Sequence, residues 1–115
     1  MKPVIVSSML AWLAAGCGSS VSPPSDQWAA AQGDVGRAQA AGAPATPDAK
    51  LHLRLAQEDL QRARSLVGSD NKRATSLTEL ARAEAQLALS LAKESASQAS
   101  ARDAQSQVWN AQQGK

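Results

Sequence analysis

The sequence predicts an all-α fold, either a small three-helix antiparallel bundle or a helical hairpin, with a long C-terminal helix. Alanine is abundant among the 115 residues, Phe and Tyr are absent, and three Trp are the only aromatic residues. Apolar residues recur at alternating spacings of three and four along three segments, and Gly and Pro separate these segments. A chain of this length allows one small domain, and an alanine-rich core buries little apolar area per residue.

The first 17 residues have the pattern of an exported protein. Lys2 supplies a positive start, and an apolar run then continues as far as Leu13. This run is shorter than the ~20 residues that span a bilayer, so it is typical of a signal peptide. Small residues at positions 14–16 precede Cys17, as a signal peptidase requires.

The segment from Leu13 to Cys17 resembles a bacterial lipobox. The resemblance implies cleavage between Gly16 and Cys17 and a lipid anchor, including palmitate-type acyl chains, on Cys17. Because Gly18 rather than Asp follows the cysteine, it also implies the outer membrane of a Gram-negative cell, with the chain facing the periplasm. The alternative is an ordinary secretory leader with an incidental cysteine, but a free exported thiol is a liability.

These patterns divide the chain into three parts. Residues 1–16 form the predicted signal peptide, and residues 17–25 form a Ser/Pro-rich tether that begins at the lipidated cysteine. Residues 26–113 form the predicted helical domain. The tether has no hydrophobic periodicity, so we expect it to hold the domain away from the membrane without a fixed fold.

The first predicted helix has Ser25 or Asp26 as its N-cap and ends at Gly42. Residues 43–47 form a turn. One apolar stripe runs along this helix and consists of Trp28, Ala31, Val35 and Ala38.

The second helix is more strongly marked. Thr46 is the predicted cap, Pro47 suits the first helical position, and Gly68 ends the helix. Its apolar stripe consists of Leu53, Ala56, Leu60, Ala63 and Val67.

The third helix is predicted to start after Ser69-Asp70 and to run from about Asn71 to near Trp109. A capping box formed by Ser76 and Glu79 would delay its start. Its length of roughly 50 to 60 Å exceeds that of its partners, so we expect its Gln/Ser/Ala-rich end to project. The predicted apolar side comprises Leu77, Leu80, Ala81, Leu87, Ala88 and Leu91, with Glu84 inside the same stripe.

Leu89 lies on another side of this third helix, near Ala85, Ala92 and Ala96. A helix that is apolar on more than one side has more than one neighbour. We favour packing against both other helices within one monomer. The alternative is a second surface for another protein or another copy, and Ala85, Leu89 and Ala96 are then the candidate partner face.

Two helical segments and the turn before them carry a family resemblance. They are Leu-Arg-Leu-Ala-Gln-Glu-Asp-Leu-Gln-Arg-Ala-Arg at 53–64, Leu-Ala-Arg-Ala-Glu-Ala-Gln-Leu-Ala at 80–88, and Ala-Pro-Ala-Thr-Pro-Asp at 43–48. The chain from Trp28 to about Gln98 resembles the domain-of-unknown-function family numbered 4398, a family of bacterial lipoproteins. The resemblance implies an exported helical module, sometimes found beside peptidoglycan-binding domains, with no catalytic residues to carry over.

The residues indicate no catalytic, metal or cofactor site. His52 is the only histidine, and a lone histidine without thiol or imidazole partners does not bind a metal. Glu58 and Asp59 are adjacent and point to different sides of a helix, so they cannot act as an acid/base pair. Glu84 is the better candidate for a perturbed carboxylate. The net charge of +2 is spread along the chain, which speaks against nucleic acid as a partner.

The sequence therefore predicts a non-catalytic, membrane-anchored envelope lipoprotein that serves as a structural or interaction module in the periplasm. Its expected partners are the membrane, through the lipid on Cys17, and an envelope protein or peptidoglycan, with oligomerisation left open. One alternative is a peptidoglycan tether attached through the C-terminal Lys115. Another is an accessory subunit of an envelope enzyme. A third is an amphipathic membrane-surface helix, which calls for more bulky apolar residues than this alanine-rich chain has.

Overall fold

A computed structural model describes residues 21–114, and these form three α-helices without a strand. The helices are α1 (Ser25–Ala40), α2 (Pro47–Leu66) and α3 (Asn71–Gln113), with a short 3-10 helix (Ala43–Ala45) between the first two. The predicted all-α fold with a long C-terminal helix is confirmed.

The three helices run up, down and up. The Asn71 side chain donates a hydrogen bond to the Val21 carbonyl (2.7 Å), so the chain enters α1 beside the start of α3. Farther along, Arg82 of α3 donates to Asp34 of α1 (3.4 Å), which keeps the two helices parallel. Helix α2, which follows α1 in the chain, runs antiparallel to both. Helix α3 packs against both other helices.

The connection between α1 and α2 depends on Gly42, whose φ of 93° lies in the left-handed region. The N–H of Gly42 donates to the Gln39 carbonyl (3.1 Å) and thereby closes the last turn of α1. Pro47 occupies the first position of α2, as predicted. Thr46 is the N-cap residue, as predicted, but its hydroxyl contacts the Gly42 carbonyl (3.5 Å) and makes no capping hydrogen bond to α2.

The start of α1 also differs slightly from the prediction. Pro24 is the N-cap residue and Ser25 is already helical, without a side-chain cap. The Trp28 N–H donates to the Pro24 carbonyl (2.8 Å), which accounts for the earlier start.

The connection between α2 and α3 is a tight glycine turn followed by a side-chain cap. Gly68 has a φ of 87°, and the N–H groups of Ser69 and Asp70 both donate to the Leu66 carbonyl (3.1 and 2.8 Å). The Asp70 carboxylate then accepts a hydrogen bond from the Arg73 N–H (3.0 Å). Helix α3 therefore begins at Asn71, and the alternative capping box at Ser76 and Glu79 is wrong.

The core between the helices is built mainly of alanine. Val35, Leu53 and Leu60 are its larger members. Helix α3 contributes one stripe of small residues, which we call the core stripe: Ala74, Thr78, Ala81, Ala85, Ala88 and Ala92. Thr78 fits this stripe because its buried hydroxyl donates to the Ala74 carbonyl (2.8 Å).

The apolar side predicted for α3 is right in its alanines and wrong in two of its leucines. Leu80 and Leu87 are 47% and 43% exposed, whereas Ala81 and Ala88 beside them are completely buried. Both sets recur with the same helical period, so the period alone does not choose between them. Methyl side chains let helix backbones approach more closely than leucine does, and the alanine side is therefore the one enclosed by α1 and α2.

Helix α3 continues beyond the bundle. Every residue from 93 to 113 is exposed, and we call this part of α3 the arm. At 1.5 Å per residue the arm is about 30 Å long. The expectation that α3 outruns its partners is met.

A larger side chain in the core stripe should separate the helices. We expect Ala85→Leu to lower the free energy of unfolding by about 1–3 kcal/mol, because extra carbons must be forced into a close-packed contact. Urea unfolding followed by circular dichroism measures the change. The matched control is Ala99→Leu on the exposed arm of the same helix. Equal stability of the two variants would contradict the assignment of the core stripe.

Candidate functional site

The residues predicted for anchoring lie outside the part of the chain that the structure describes. Gly16, Cys17 and Lys115 fall in the two end segments, so cleavage, lipidation and wall attachment stay predictions. The first described residues, from Val21 onward, lie beside the start of α3. Any anchor attached a few residues earlier is thus tethered to that end of the bundle.

The candidate partner face of Ala85, Leu89 and Ala96 is not one exposed surface. Ala85 is completely buried in the core, and Leu89 is half-buried against it. Ala96 lies on the arm and is exposed. Packing of α3 against both other helices, which the sequence analysis favoured, accounts for Ala85 and for most of Leu89.

A buried carboxylate links α1 to α3. Asp34 is only 2% exposed and forms an ion pair with Arg37, one turn later in α1. Its second oxygen accepts hydrogen bonds from the Arg82 Nε and the Gln86 Nε2 of α3, each at 3.4 Å. Buried carboxylates are expected to be paired in this way, because an isolated buried charge is very unfavourable.

The surroundings of Asp34 keep it charged. Burial alone would raise the pKa of this carboxyl. Hydrogen bonds from Arg37, Arg82 and Gln86 outweigh the burial, so its pKa lies below the ordinary value of 3.8. Asp34 is therefore a carboxylate at neutral pH and not a candidate general acid.

The same local pattern occurs in α1 and α2. Both helices contain Ala-Gln-x-Asp-x-x-Arg-Ala, at 31–38 and at 56–63. Asp59 of α2 has a side chain that is 10% exposed, and it accepts a hydrogen bond from the Arg62 Nη1 (3.4 Å). In each helix the aspartate lies on the buried side, and the arginine three residues later reaches it from the surface.

Asp34 was not predicted as a functional residue from the sequence, and Asp59 was considered there only as the neighbour of Glu58. A signal was present in both helices. Asp34 lies three residues after Ala31 and four before Ala38, which places a carboxylate inside the apolar stripe.

His52 and Glu84 join α2 to α3. The His52 Nδ1 lies 2.5 Å from the Glu84 Oε2, and the two side chains are 26% and 21% exposed. This contact explains why Glu84 interrupts a leucine-rich side of α3. The only histidine of the chain thus contributes to the contact between α2 and α3.

An open groove runs along the surface between α1 and α2 and has a volume of about 680 Å³. Its lining combines an aromatic ring, a guanidinium and several amides: Trp28, Gln32, Gln39, Gln57, Gln61 and Arg64. The Trp28 indole N–H is buried and has no hydrogen-bond partner within residues 21–114. This lining includes no carboxylate, histidine, thiol or hydroxyl, so it suits binding rather than acid, base or nucleophilic chemistry.

Within residues 21–114 no three His, Cys, Asp or Glu side chains lie together as a metal ion would need. None of the described helices combines the length and the apolar character that crossing a membrane requires.

Removal of the Asp34 charge should weaken the contact between α1 and α3. We expect Asp34→Asn to lower the free energy of unfolding at pH 7 by about 1 to 2 kcal/mol, because hydrogen bonds to a charged group are lost. Since the folded-state pKa is depressed, the charge stabilises the fold above the ordinary value of 3.8, and this contribution is lost as the pH falls through the folded-state pKa.

The measurement is urea unfolding of both proteins between pH 7 and pH 2.5. The stability difference should be constant down to about pH 4 and should then shrink. Asp103→Asn on the exposed arm is the control. A difference that does not change with pH would contradict the role of the charge.

A known protein family is similar to most of this chain. The model of the family described as "Domain of unknown function (DUF4398)" matches residues 26–112, which include all three helices almost completely. No curated protein and no solved structure matches the chain significantly. Because the matched region covers most of the sequence, the chain belongs to the DUF4398 family.

Proposed function

We propose that this protein is a non-catalytic lipoprotein of the bacterial envelope, anchored in the outer membrane through lipid on Cys17 and facing the periplasm. It acts as a spacer and interaction module that carries a helical arm away from the membrane. The lipobox-like sequence from Leu13 to Cys17 supports the anchor.

The observation that carries the proposal is that the chain enters at one end of the molecule and the arm ends at the other. The chain enters at Val21, beside the start of α3 at Asn71. Helix α3 contains 43 residues and is therefore about 65 Å long. An anchor just before Val21 and the tip of the arm thus lie at opposite ends of the molecule.

The bundle gives the arm a rigid base. An isolated helix of some 20 polar and small residues is marginal in water, because helix nucleation is unfavourable. Here the arm continues a helix that is already packed against α1 and α2, and the contacts of Asp34 and His52 fix that packing. The arm therefore extends from a preformed helix, as a spacer requires.

The charged side chains also support a non-catalytic role. Those that are buried or half-buried at helix contacts, Asp34, Asp59, His52 and Glu84, are each paired with another side chain. The groove between α1 and α2 offers amides and an aromatic ring without an acid or a nucleophile. These features hold helices together or bind a ligand, and they supply no reactive group.

Lipidation of Cys17 is the first expected outcome to check. Cells grown with an alkyne analogue of palmitate should label the wild-type protein, and Cys17→Ala should lose the label because the thiol is the site of attachment. The same substitution should reduce membrane retention after a high-salt wash. Ser19→Ala is the matched control. An unlabelled wild-type protein, or a Cys17→Ala protein that is still labelled, would contradict the anchor.

The role of the arm is tested separately. A photo-crosslinking residue at the exposed Ala96 should give a discrete product with an envelope component in living cells, whereas one at the exposed Ser65 of the bundle should not. Mass spectrometry identifies the product. Because the anchor positions the arm, the product should decrease in Cys17→Ala cells. Crosslinking at Ser65 but not at Ala96 would contradict an interaction through the arm.

A further inference from the structure

We propose that two copies of this chain associate through one side of α3, antiparallel and centred on Gln98. This inference goes beyond the spacer role and rests on α3 alone, so it does not require the lipid anchor. The side concerned, which we call the pairing stripe, consists of Leu87, Leu91, Glu94, Gln98, Arg102, Gln105 and Trp109.

The pairing stripe is one continuous side of the helix. Its members follow one another at spacings of four, three, four, four, three and four residues. With 3.6 residues per turn, these spacings keep all seven within a sector of roughly 80°. The sector is centred roughly 120° around the helix from the core stripe, so α1 and α2 leave most of it uncovered.

Most of this stripe is exposed, including its large apolar residues. Trp109 and Leu87, at its two ends, are 61% and 43% exposed. Leu91 is half-buried at the edge of the bundle. The arm otherwise consists mainly of alanine, serine, glutamine and charged residues, so an exposed tryptophan there is the feature that most needs a partner.

The residues of the pairing stripe are spaced symmetrically on the two sides of Gln98. In an antiparallel pair centred on this residue, Glu94 of each copy faces Arg102 of the other. Leu87 of each copy faces Trp109 of the other, and the two Gln98 side chains meet on the two-fold axis. The spacings are themselves symmetric about Gln98, so every member of the stripe faces another member.

The charges of Glu94 and Arg102 favour a second copy of the chain as the partner, and they favour an antiparallel arrangement. Glu94 and Arg102 are eight residues apart, about 12 Å along one helix, which is too far for an ion pair between them. Neither belongs to any ion pair among residues 21–114. The antiparallel pair brings these opposite charges together twice, whereas a parallel pair in register would place like charges together.

The shape of the molecule allows this association. The overlap from Leu87 to Trp109 contains 23 residues and is about 35 Å long, which is about three heptads. The two bundles lie at opposite ends of the overlap, and the two Asn71 residues are then about 80 Å apart. The dimer is therefore an elongated rod with one bundle at each end. When both copies are anchored, this rod lies along the membrane, so pairing and the outward-projecting arm are alternative arrangements of the arm.

Disulfide crosslinking of the full chain in cells tests the pairing and its direction. Differently tagged Leu87→Cys and Trp109→Cys copies are expressed together and treated with a mild oxidant. We expect a mixed dimer at least about tenfold more abundant than from a Ser90→Cys and Ser106→Cys mixture. Those two positions also stand at the same level across the antiparallel pair, but they lie roughly 80° from the centre of the stripe, on opposite sides. The wild-type chain, whose one cysteine is Cys17, gives the background.

Charge exchange gives a second and independent readout, with Gln98→Cys reporting dimer formation at the two-fold axis. Glu94→Arg and Arg102→Glu should each lower the Gln98→Cys dimer about fivefold, because two attractive pairs become repulsive. The double variant restores opposite charges in an antiparallel pair and should recover most of the dimer. All of these positions are exposed on the arm, so the bundle should fold as in the wild type.

Several outcomes would overturn the proposal. Leu87→Cys copies that crosslink to each other but not to Trp109→Cys copies would indicate a parallel pair. A mixed product no stronger than that of the Ser90/Ser106 control would show that this stripe does not pair. A crosslinked product that contains a different protein would assign the stripe to another partner, and failure of the double charge variant to recover would contradict the register.

Discussion

Close packing of helices through alanine is the constraint on which the rest of this structure depends. Each buried methyl contributes only about 0.8 kcal/mol of transfer free energy, so an alanine core stabilises the bundle weakly. In return, it lets α3 approach both α1 and α2 closely along one stripe. Polar contacts between helices then matter more than in a leucine-rich bundle, and Asp34 and the His52–Glu84 contact supply them.

The same constraint explains why two leucines of α3 lie outside the core. Once the alanine side of α3 is enclosed, residues on its other sides remain at the surface, among them Leu80 and Leu87. In many helical proteins the larger apolar residues define the core, and the sequence analysis of α3 followed that expectation. On α3 the buried side chains are instead the small ones, because the other two helices lie close to this side and supply the larger core residues Val35, Leu53 and Leu60.

What the sequence predicts well in this chain is local. The ends of the helices follow from Gly42, Pro47, Gly68 and Asp70, because their backbone preferences act within a few residues. The side of α3 that packs was predicted only in part, because its alanines and its leucines recur with the same helical period. The role of Asp34 in joining α1 to α3 was not predicted either, because two of its partners lie 48 and 52 residues later in the chain. Only the folded bundle brings them together.

The unequal lengths of the helices connect the packing to function. Helix α1 and helix α2 have 16 and 20 residues, so they cover only the first half of the 43 residues of α3. The core stripe ends at Ala92, and beyond it no described residue contributes a covering helix. A helix of this length needs a packed base or a second helix beside it to persist in water. The bundle provides that base for the whole of α3, and in the proposed dimer the symmetric order of residues about Gln98 adds a second helix beside the arm.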